Sequence, residues 1–440
     1  MHRRPTSIAS SRARFLLFIL TASFLVPLAP PARAEETQPD PAATASPPST
    51  ATAPAAVTPA ATDSPPAPPA ASPPAAPPPP DPAAPTNDAH VKFGPTTGLR
   101  FDSDTAHLEL HTFNWFRAQT DSRVGAATRP QAQVPLARLV LQGSVFDPRV
   151  FFFFQPEFAQ GSAGQLLDLF GEWHFDPKLA LRIGQFRTPF SRAYITPLSN
   201  LELTERGLVS DEFRFGRDTG AMAFGDLAAG FFHYEVGVFN GANIDDFAGD
   251  RIAPMGMART EFRFGTPIPY DQAPSLTLVD PHGLTLAFGG AFARRGITQK
   301  DGATNVTSTE NVTSATAELT WMHGPWTIHS ETFWRGAESS PRPTNSFGAF
   351  VQTGVFVVPR QIEIGGRAGW LTNGPDVESY EAFIADYWKT DKITFGHHLK
   401  TTLDYRYDSG DRPSFGTVGG TTKNDLRDRH RVILQAQIFF

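Results

Sequence analysis

The sequence predicts an all-β fold: a transmembrane antiparallel β-barrel of about 16 strands, narrowed by one loop folded into its bore. Three observations lead there. The 440-residue chain is rich in aromatics, with 37 Phe, yet no apolar run reaches the 18 residues a membrane-spanning helix needs. From residue 106 onward, segments of roughly 10 residues alternate apolar and polar side chains, as strands do with one face in lipid and the other in a lumen. The connections between these segments are short and long by turns, the usual habit of such barrels.

The chain begins with a different kind of sequence. Residues 1–34 read as a secretory signal: Arg3, Arg4, Arg12 and Arg14, then an apolar run from Phe15 to Ala29, then Ala32-Arg-Ala34 as a small-residue cleavage pattern. Residues 35–89 hold 18 Pro between Pro39 and Pro85 among Ala, Ser and Thr. Such a segment has little apolar surface to bury and few backbone donors, so it is expected to be a disordered, semi-rigid linker, here in the periplasm. Residues 90–440 form the barrel domain. The net charge of −6 and pI near 6.1 point to no nucleic-acid partner, and the absence of Cys excludes thiol catalysis, Cys-type zinc sites and disulfides.

Sixteen segments carry the pattern: 106–118, 131–146, 149–160, 165–176, 178–188, 217–227, 230–240, 256–265, 283–296, 310–323, 325–336, 346–358, 360–372, 379–391, 395–408 and 428–440. In Met257–Gly265, for example, Ala258, Thr260, Phe262 and Phe264 oppose Arg259, Glu261 and Arg263. Trp326, Ile328, Ser330, Thr332 and Trp334 likewise oppose Thr327, His329, Glu331 and Arg335, with Trp at both ends where the membrane interfaces fall. Short turns include Asp147-Pro148, Asp176-Pro-Lys178, Leu227-Ala-Ala229, Gly324 and Pro359, and long loops 119–130, 189–216, 241–255, 297–309, 337–345 and 409–427. Residues 266–282 break the rule: they should be a short turn but run long, with Pro at 267, 269, 274 and 281. The last strand places Val432, Leu434, Ala436, Ile438 and Phe440 on one face and ends the chain on Phe, which resembles the signal read by outer-membrane assembly machinery.

Several pieces carry a family pattern: Ala137-Arg-Leu139 with Gly143, Leu166-Leu-Asp-Leu-Phe170, Leu181-Arg-Ile-Gly-Gln-Phe-Arg-Thr-Pro-Phe-Ser-Arg192, Arg217-Asp-Thr-Gly220, Tyr234-Glu-Val-Gly-Val-Phe-Asn-Gly241, Ala258-Arg259, Gln352-Thr-Gly-Val355 and Gly396-His-His-Leu-Lys400. In this order they resemble the phosphate-selective porin O and P family of Gram-negative outer membranes. The resemblance implies a sixteen-stranded barrel, usually a homotrimer in outer-membrane lipid, passing small anions such as phosphate.

A pore for phosphate needs cations where the dianion sheds its hydration, and Arg suits it through paired donors. Arg187, Arg192 and Arg217 lie in or beside the longest matched motif and rank first. Arg138, Arg206, Arg214, Arg259, Arg263, Arg367 and Lys400 complete the candidates. Against them stands the loop itself, where Arg192, Arg206 and Arg214 face Glu202, Glu205, Asp211 and Glu212, and lumen acids Glu157, Asp168, Glu172, Glu235, Glu261, Glu331 and Glu363. No cofactor, catalytic residue or metal site is expected: His107, His111, His233, His329, His397 and His398 read as lumen polar groups, and Phe151–Phe154 as membrane-facing or interface packing. The expected function is a passive channel for small solutes. The alternative is a structural or adhesive barrel tethered to the cell wall through the Pro-rich segment.

Overall fold

The computed structural model describes residues 90–440 except 124–126, 160–163, 242–254, 302–303, 339–343, 373–375, 391–392, 394 and 411–427. The expected signal and linker, 1–89, and most of the loop 409–427 lie outside the described residues.

Sixteen antiparallel strands close on themselves: β3 (Ala106–Arg123), β4 (Arg129–Val145), β5 (Val150–Glu157), β6 (Gln165–Asp176), β7 (Leu179–Arg187), β8 (Arg217–Leu227), β9 (Phe232–Phe239), β10 (Met255–Gly265), β11 (His282–Asp301), β12 (Thr304–His323), β13 (Trp326–Glu338), β14 (Thr344–Val358), β15 (Ile362–Thr372), β16 (Asp376–Tyr387), β17 (Leu399–Ser409) and β18 (Arg429–Phe439). Each pairs with its neighbour in sequence, and β18 pairs with β3 from Arg429↔Arg123 to Phe439↔Phe113, so the ring has no open edge. Every segment marked by alternation in the sequence coincides with one of these strands. In β13 buried and partly exposed residues alternate along its length, the lumen set being Thr327, His329, Glu331, Phe333 and Arg335.

Two expected long loops are mostly strand, and the described ends of a third are strand as well. Gln119 pairs with Gln131, Asp301 with Thr304 and Asn311 with Glu338, so 119–130, 297–309 and 337–345 extend their hairpins beyond the alternating stretch. The reason is physical: the backbone ladder continues into water, where no apolar face is required, so the hydropathy signal stops before the strand does. Residues 395–398 are not strand either, since β17 begins at Leu399 after a single 3-10 turn at Gly396–His398. Alternation also splits the Phe run. Phe151 and Phe153 pair with Glu172 and Phe170 on the bore-facing register, and Phe153 stacks on Phe170 at 5.2 Å. Only part of that run can therefore face lipid.

A hairpin ahead of the barrel had no place among the sixteen segments. β1 (His90–Gly94) and β2 (Gly98–Asp102) pair with each other, and β2 takes the edge of β3 from Leu110 to His107, just beyond the point where β18 ends. Phe93 meets the terminal Phe440 edge to face at 6.4 Å.

The wall depends on close backbone approach at a few glycines. Gly184 in β7 has φ +137°, and a Cβ there would sit 2.3 Å from the Leu169 carbonyl oxygen. Gly184→Val should cost about 1–3 kcal/mol in backbone strain before the clash is counted. Refolding yield, read from the mobility of unheated protein on gels, should fall well below wild type; wild-type yield would show that the wall relaxes around a side chain here.

Candidate functional site: the constriction of the bore

Between β7 and β8, residues 188–216 form two short helices, α1 (Arg192–Ile195) and α2 (Leu208–Phe213), joined by a 3-10 turn at Leu198–Asn200. Ser191 caps α1 by accepting the Tyr194 N–H. This loop lies inside the barrel, as expected. Its apolar side is the reason. Phe190, Leu208, Val209 and Phe213 are buried against Phe333, Phe350 and Leu371, which point inward from β13, β14 and β15. Phe213 stacks on Phe333 at 5.2 Å, and Phe190 meets Phe215 at 4.9 Å. Burying a Phe is worth about 1.5–3 kcal/mol, so this cluster outweighs the alternative of leaving those rings in water.

Polar contacts then carry the loop across the bore to the opposite wall. Ser191 Oγ and Ala193 N–H donate to Glu331, both at 2.6 Å, and Arg192 N–H donates to Glu318 at 3.1 Å. Thr327 Oγ1 and Gln352 Nε2 donate to Glu202 at 2.8 and 2.7 Å. Thr204 Oγ1 donates to Asp404 at 2.8 Å, and Lys400 Nζ donates to the Leu201 carbonyl. Gln437 Nε2 donates to the Ser199 carbonyl at 2.9 Å. A Cβ on Gly354 would fall 2.6 Å from Glu202 Oε1 and 2.7 Å from Glu363 Oε1, so only glycine admits the two carboxyls side by side.

The irregular connection 266–281 is an insertion that also turns into the bore. Gln272 N–H donates to the Asn200 carbonyl at 3.0 Å, Asn200 Nδ2 to the Tyr270 carbonyl at 3.2 Å, and Glu202 N–H to Gln272 Oε1 at 3.0 Å. His397 pairs with Asp271 at 2.8 Å and His329 Nε2 lies 3.1 Å from the Gln272 carbonyl. Arg192 donates to the Ile268 carbonyl at 3.1 Å and to that of Pro269, with its guanidinium 4.8 Å over the Tyr270 ring. Two segments entering from opposite rims thus hold each other inside the barrel. In the sequence the only trace of this was a turn too long for its place.

The ten candidate cations sort by what neutralises them. Arg192, first-ranked from its motif, instead clamps the 266–281 segment and lies 3.5 Å from Glu261. Arg259 is wholly buried among Glu318 (2.5 Å), Glu261 (2.7 Å) and Glu235 (3.4 Å), and Arg263 pairs with Glu261 and Asp226. Arg367 pairs with Glu381 at 2.7 Å, and Lys400 is buried under the loop. Arg214 pairs with Asp211 at 3.2 Å. The remaining four gather near the root of the loop. Arg138 pairs with Glu157 at 2.7 Å and Arg217 with Asp168 at 2.9 Å. Arg187 and Arg206 donate to backbone carbonyls instead: Arg187 to Ile195 and Thr196 at 3.0 and 3.1 Å, Arg206 to Ala193 and Tyr194 at 2.9 Å and to the same Thr196 oxygen. Among the described residues no carboxylate pairs with either. Arg217 lies within electrostatic reach of Arg138, Arg187 and Arg206, and Arg206 also feels the Arg214–Asp211 pair, so five guanidiniums share three carboxylates. Burial pulls the Arg206 guanidinium down to about 10, with Asp211 opposing and Arg217 and Arg214 adding to the effect, yet it keeps its charge at neutral pH.

A second cluster had not been singled out. Arg117, Arg406 and Arg431, on β3, β17 and β18, converge on Glu205 of the loop, with Arg367 donating to the Glu205 carbonyl. Their alternating lumen positions were legible; their meeting on one loop residue was not. Glu381, Asp404, Asp408 and Glu205 balance these four, so this wall carries no excess charge. Burial alone would raise the Glu205 carboxyl, but Arg431, Arg117 and Arg406 hold it down to about 2.

A family model described as "Phosphate-selective porin O and P" matches residues 111–383. An anion-selective porin from Comamonas acidovorans has the same fold, with a TM-score of 0.56 at 10% identity over 76% of this chain and 100% of that one. In-vitro folded OmpT, an outer membrane protein of Vibrio cholerae, gives 0.54 at 9% identity over 77% and 99%, and its trimer form 0.52 at 9% over 76% and 99%. No curated protein is similar enough in sequence to count as a relative.

The docked loop should respond to pH through Glu202. Burial is the main reason its carboxyl is pushed up, so the docked loop binds that proton more tightly than a released loop would. Docking is therefore strongest at low pH and weakens as pH rises through the raised value. Glu205 has the opposite sign: its contribution is complete above the ordinary carboxylate range and is lost only as pH falls toward about 2. Between about pH 5 and 8 Glu205 stays ionised, and Glu202 is a loop group that changes charge. Open-channel current noise should grow over that range, and Glu202→Gln should flatten the dependence. Equal pH dependence in the variant would exonerate Glu202.

Proposed function

The chain belongs to the phosphate-selective porin O and P family, and from that premise we propose that its outer-membrane channel passes small anions across the cluster of Arg187, Arg206, Arg138 and Arg217. The observation that carries this reading is the excess of two positive charges there, centred on two guanidiniums bound only to carbonyls. A phosphate entering a narrow bore loses water and needs charged N–H donors in its place. Arg187 and Arg206 can offer theirs by exchanging the Thr196 carbonyl for an anion oxygen, a stronger, charge-assisted acceptor. Glu157 and Asp168 draw on Arg138 and Arg217, which keeps the site from holding an anion too tightly to release it.

In this reading the protein is a passive channel rather than an enzyme, and Arg192, Arg214, Arg259, Arg263, Arg367 and Lys400 serve to hold the constriction in shape. It would act as a homotrimer, for which the trimer form of the Vibrio cholerae protein of like fold is the supporting parallel. Residues 1–34 would be removed on export and 35–89 would hang in the periplasm. The strand ending at Phe440 would be the segment handed to the barrel assembly machinery.

Planar-bilayer recordings test the filter. Wild type should be anion-selective in a chloride gradient and blocked by added phosphate. Arg187→Gln with Arg206→Gln should move the reversal potential toward cations and weaken phosphate block about tenfold or more, since one hydrogen bond to a charged group is worth about 1.5–3 kcal/mol. Arg149→Gln, at an arginine paired with Asp147 on an exposed turn, should leave both nearly unchanged. Unaltered selectivity and block in the double variant would remove this cluster from the filter.

A further inference from the structure

His282 and His323 lie away from everything described so far. His282 opens β11, His323 closes β12, and the two are direct cross-strand partners. Both are exposed, while their neighbours Gly283 and Met322 are buried, so the two rings stand on the outer face at the short-turn rim. Their ring centres are 4.3 Å apart and their Nδ1 atoms face each other at 2.8 Å. The carboxylate of Asp280 lies 3.4 Å from the far nitrogen, Nε2, of His282. Trp321 stacks parallel to the His323 ring at 5.7 Å.

We propose that His282 and His323 together bind one transition-metal dication, of the kind that prefers imidazole, such as Zn²⁺, Cu²⁺ or Ni²⁺. The two Nδ1 atoms lie at hydrogen-bonding distance with their ring planes tilted by 52°, so a modest rotation of each ring turns both lone pairs toward a common point between them. Asp280 favours the proton of His282 on Nε2, which leaves its Nδ1 as the acceptor and makes His323 Nδ1–H the donor. When an ion enters, the His323 proton moves from Nδ1 to Nε2, and both Nδ1 lone pairs become ligands with no net proton change. Metal–nitrogen bonds of about 2.0–2.1 Å at a tetrahedral angle put the nitrogens about 3.3 Å apart. Opening the pair by about half an ångström is a small ring rotation for two exposed side chains at a rim. Asp280 then plays the orienting carboxylate behind a ligating histidine. Among the described residues no group of three or more His, Cys, Asp or Glu surrounds one ion position, so water completes the shell. Imidazole donors with water favour these metals over Mg²⁺ or Ca²⁺, which take oxygen ligands.

The position gives the ion a mechanical role. The 266–281 segment leaves the sheet at Thr266 and returns at His282, and Thr266 N–H donates to the His282 carbonyl at 2.8 Å. A metal joining His282 to His323 ties the base of that inward segment to β12.

The test uses the untagged full-length barrel in detergent. Calorimetric titration with zinc chloride should show one saturable site per chain, and substoichiometric copper(II) should give an electron paramagnetic resonance spectrum with two equivalent nitrogen ligands. His282→Ala and His323→Ala should each abolish that phase, Asp280→Asn should weaken it about tenfold, and Mg²⁺ should not compete. The unheated-gel mobility of each variant confirms that the barrel still forms. A saturable phase that survives in the double His variant means an adventitious ion at other histidines and overturns the proposal. So does a wild-type protein with no saturable phase.

Discussion

Everything in this protein hangs on the pairing of β18 with β3. In lipid an unpaired backbone N–H or carbonyl has no water to turn to, so a sheet of this kind must end where it began. The ladder from Arg429↔Arg123 to Phe439↔Phe113 joins residues more than three hundred positions apart. Once it forms, all lumen-facing side chains are committed to one enclosed space. The β1–β2 hairpin then covers the part of the β3 edge that β18 is too short to reach.

Enclosure changes what the charges do. On an open surface, most of the ion pairs seen here would contribute little, because water screens them. Inside the bore they are partly dehydrated, and each unpaired charge is costly. The result, among the described residues, is that most of the lumen arginines are paired with carboxylates. Arg259 with three carboxylates, and Glu205 among three arginines, are locks that hold the loop and the wall in one arrangement. Against that background two guanidiniums satisfied only by carbonyls stand out as the place where an incoming anion could improve on what is already there. The same logic explains why the loop and the 266–281 segment meet. Asn200, Glu202, Gln272 and Asp271 bring polar groups into a dehydrated space, and each finds its partner on the other segment or on the wall.

The strands were legible because lipid demands an apolar face at every second residue, and that demand writes itself into the sequence. The ends of the strands were less so, since β3, β11 and β12 run on into water where the demand lapses. An inward course for 188–216 was expected, but the sequence did not decide it against an outward loop. The inward course of 266–281 could not be read either, because a long turn does not say which way it bends.

By itself, then, the sequence determined the sixteen barrel strands, their order and most of the side chains that face the bore, all consequences of a period-2 pattern set by a local solvent boundary. It also supplied a set of candidate arginines, though not Arg117, Arg406 and Arg431. Only the tertiary structure decided which of them are spent. Arg192 and Arg187 lie five residues apart in one motif, yet Arg192 clamps Ile268 and Pro269 while Arg187 meets only the carbonyls of Ile195 and Thr196. Charge pairing depends on distances across the barrel, between residues far apart in the chain, and no local pattern encodes those distances.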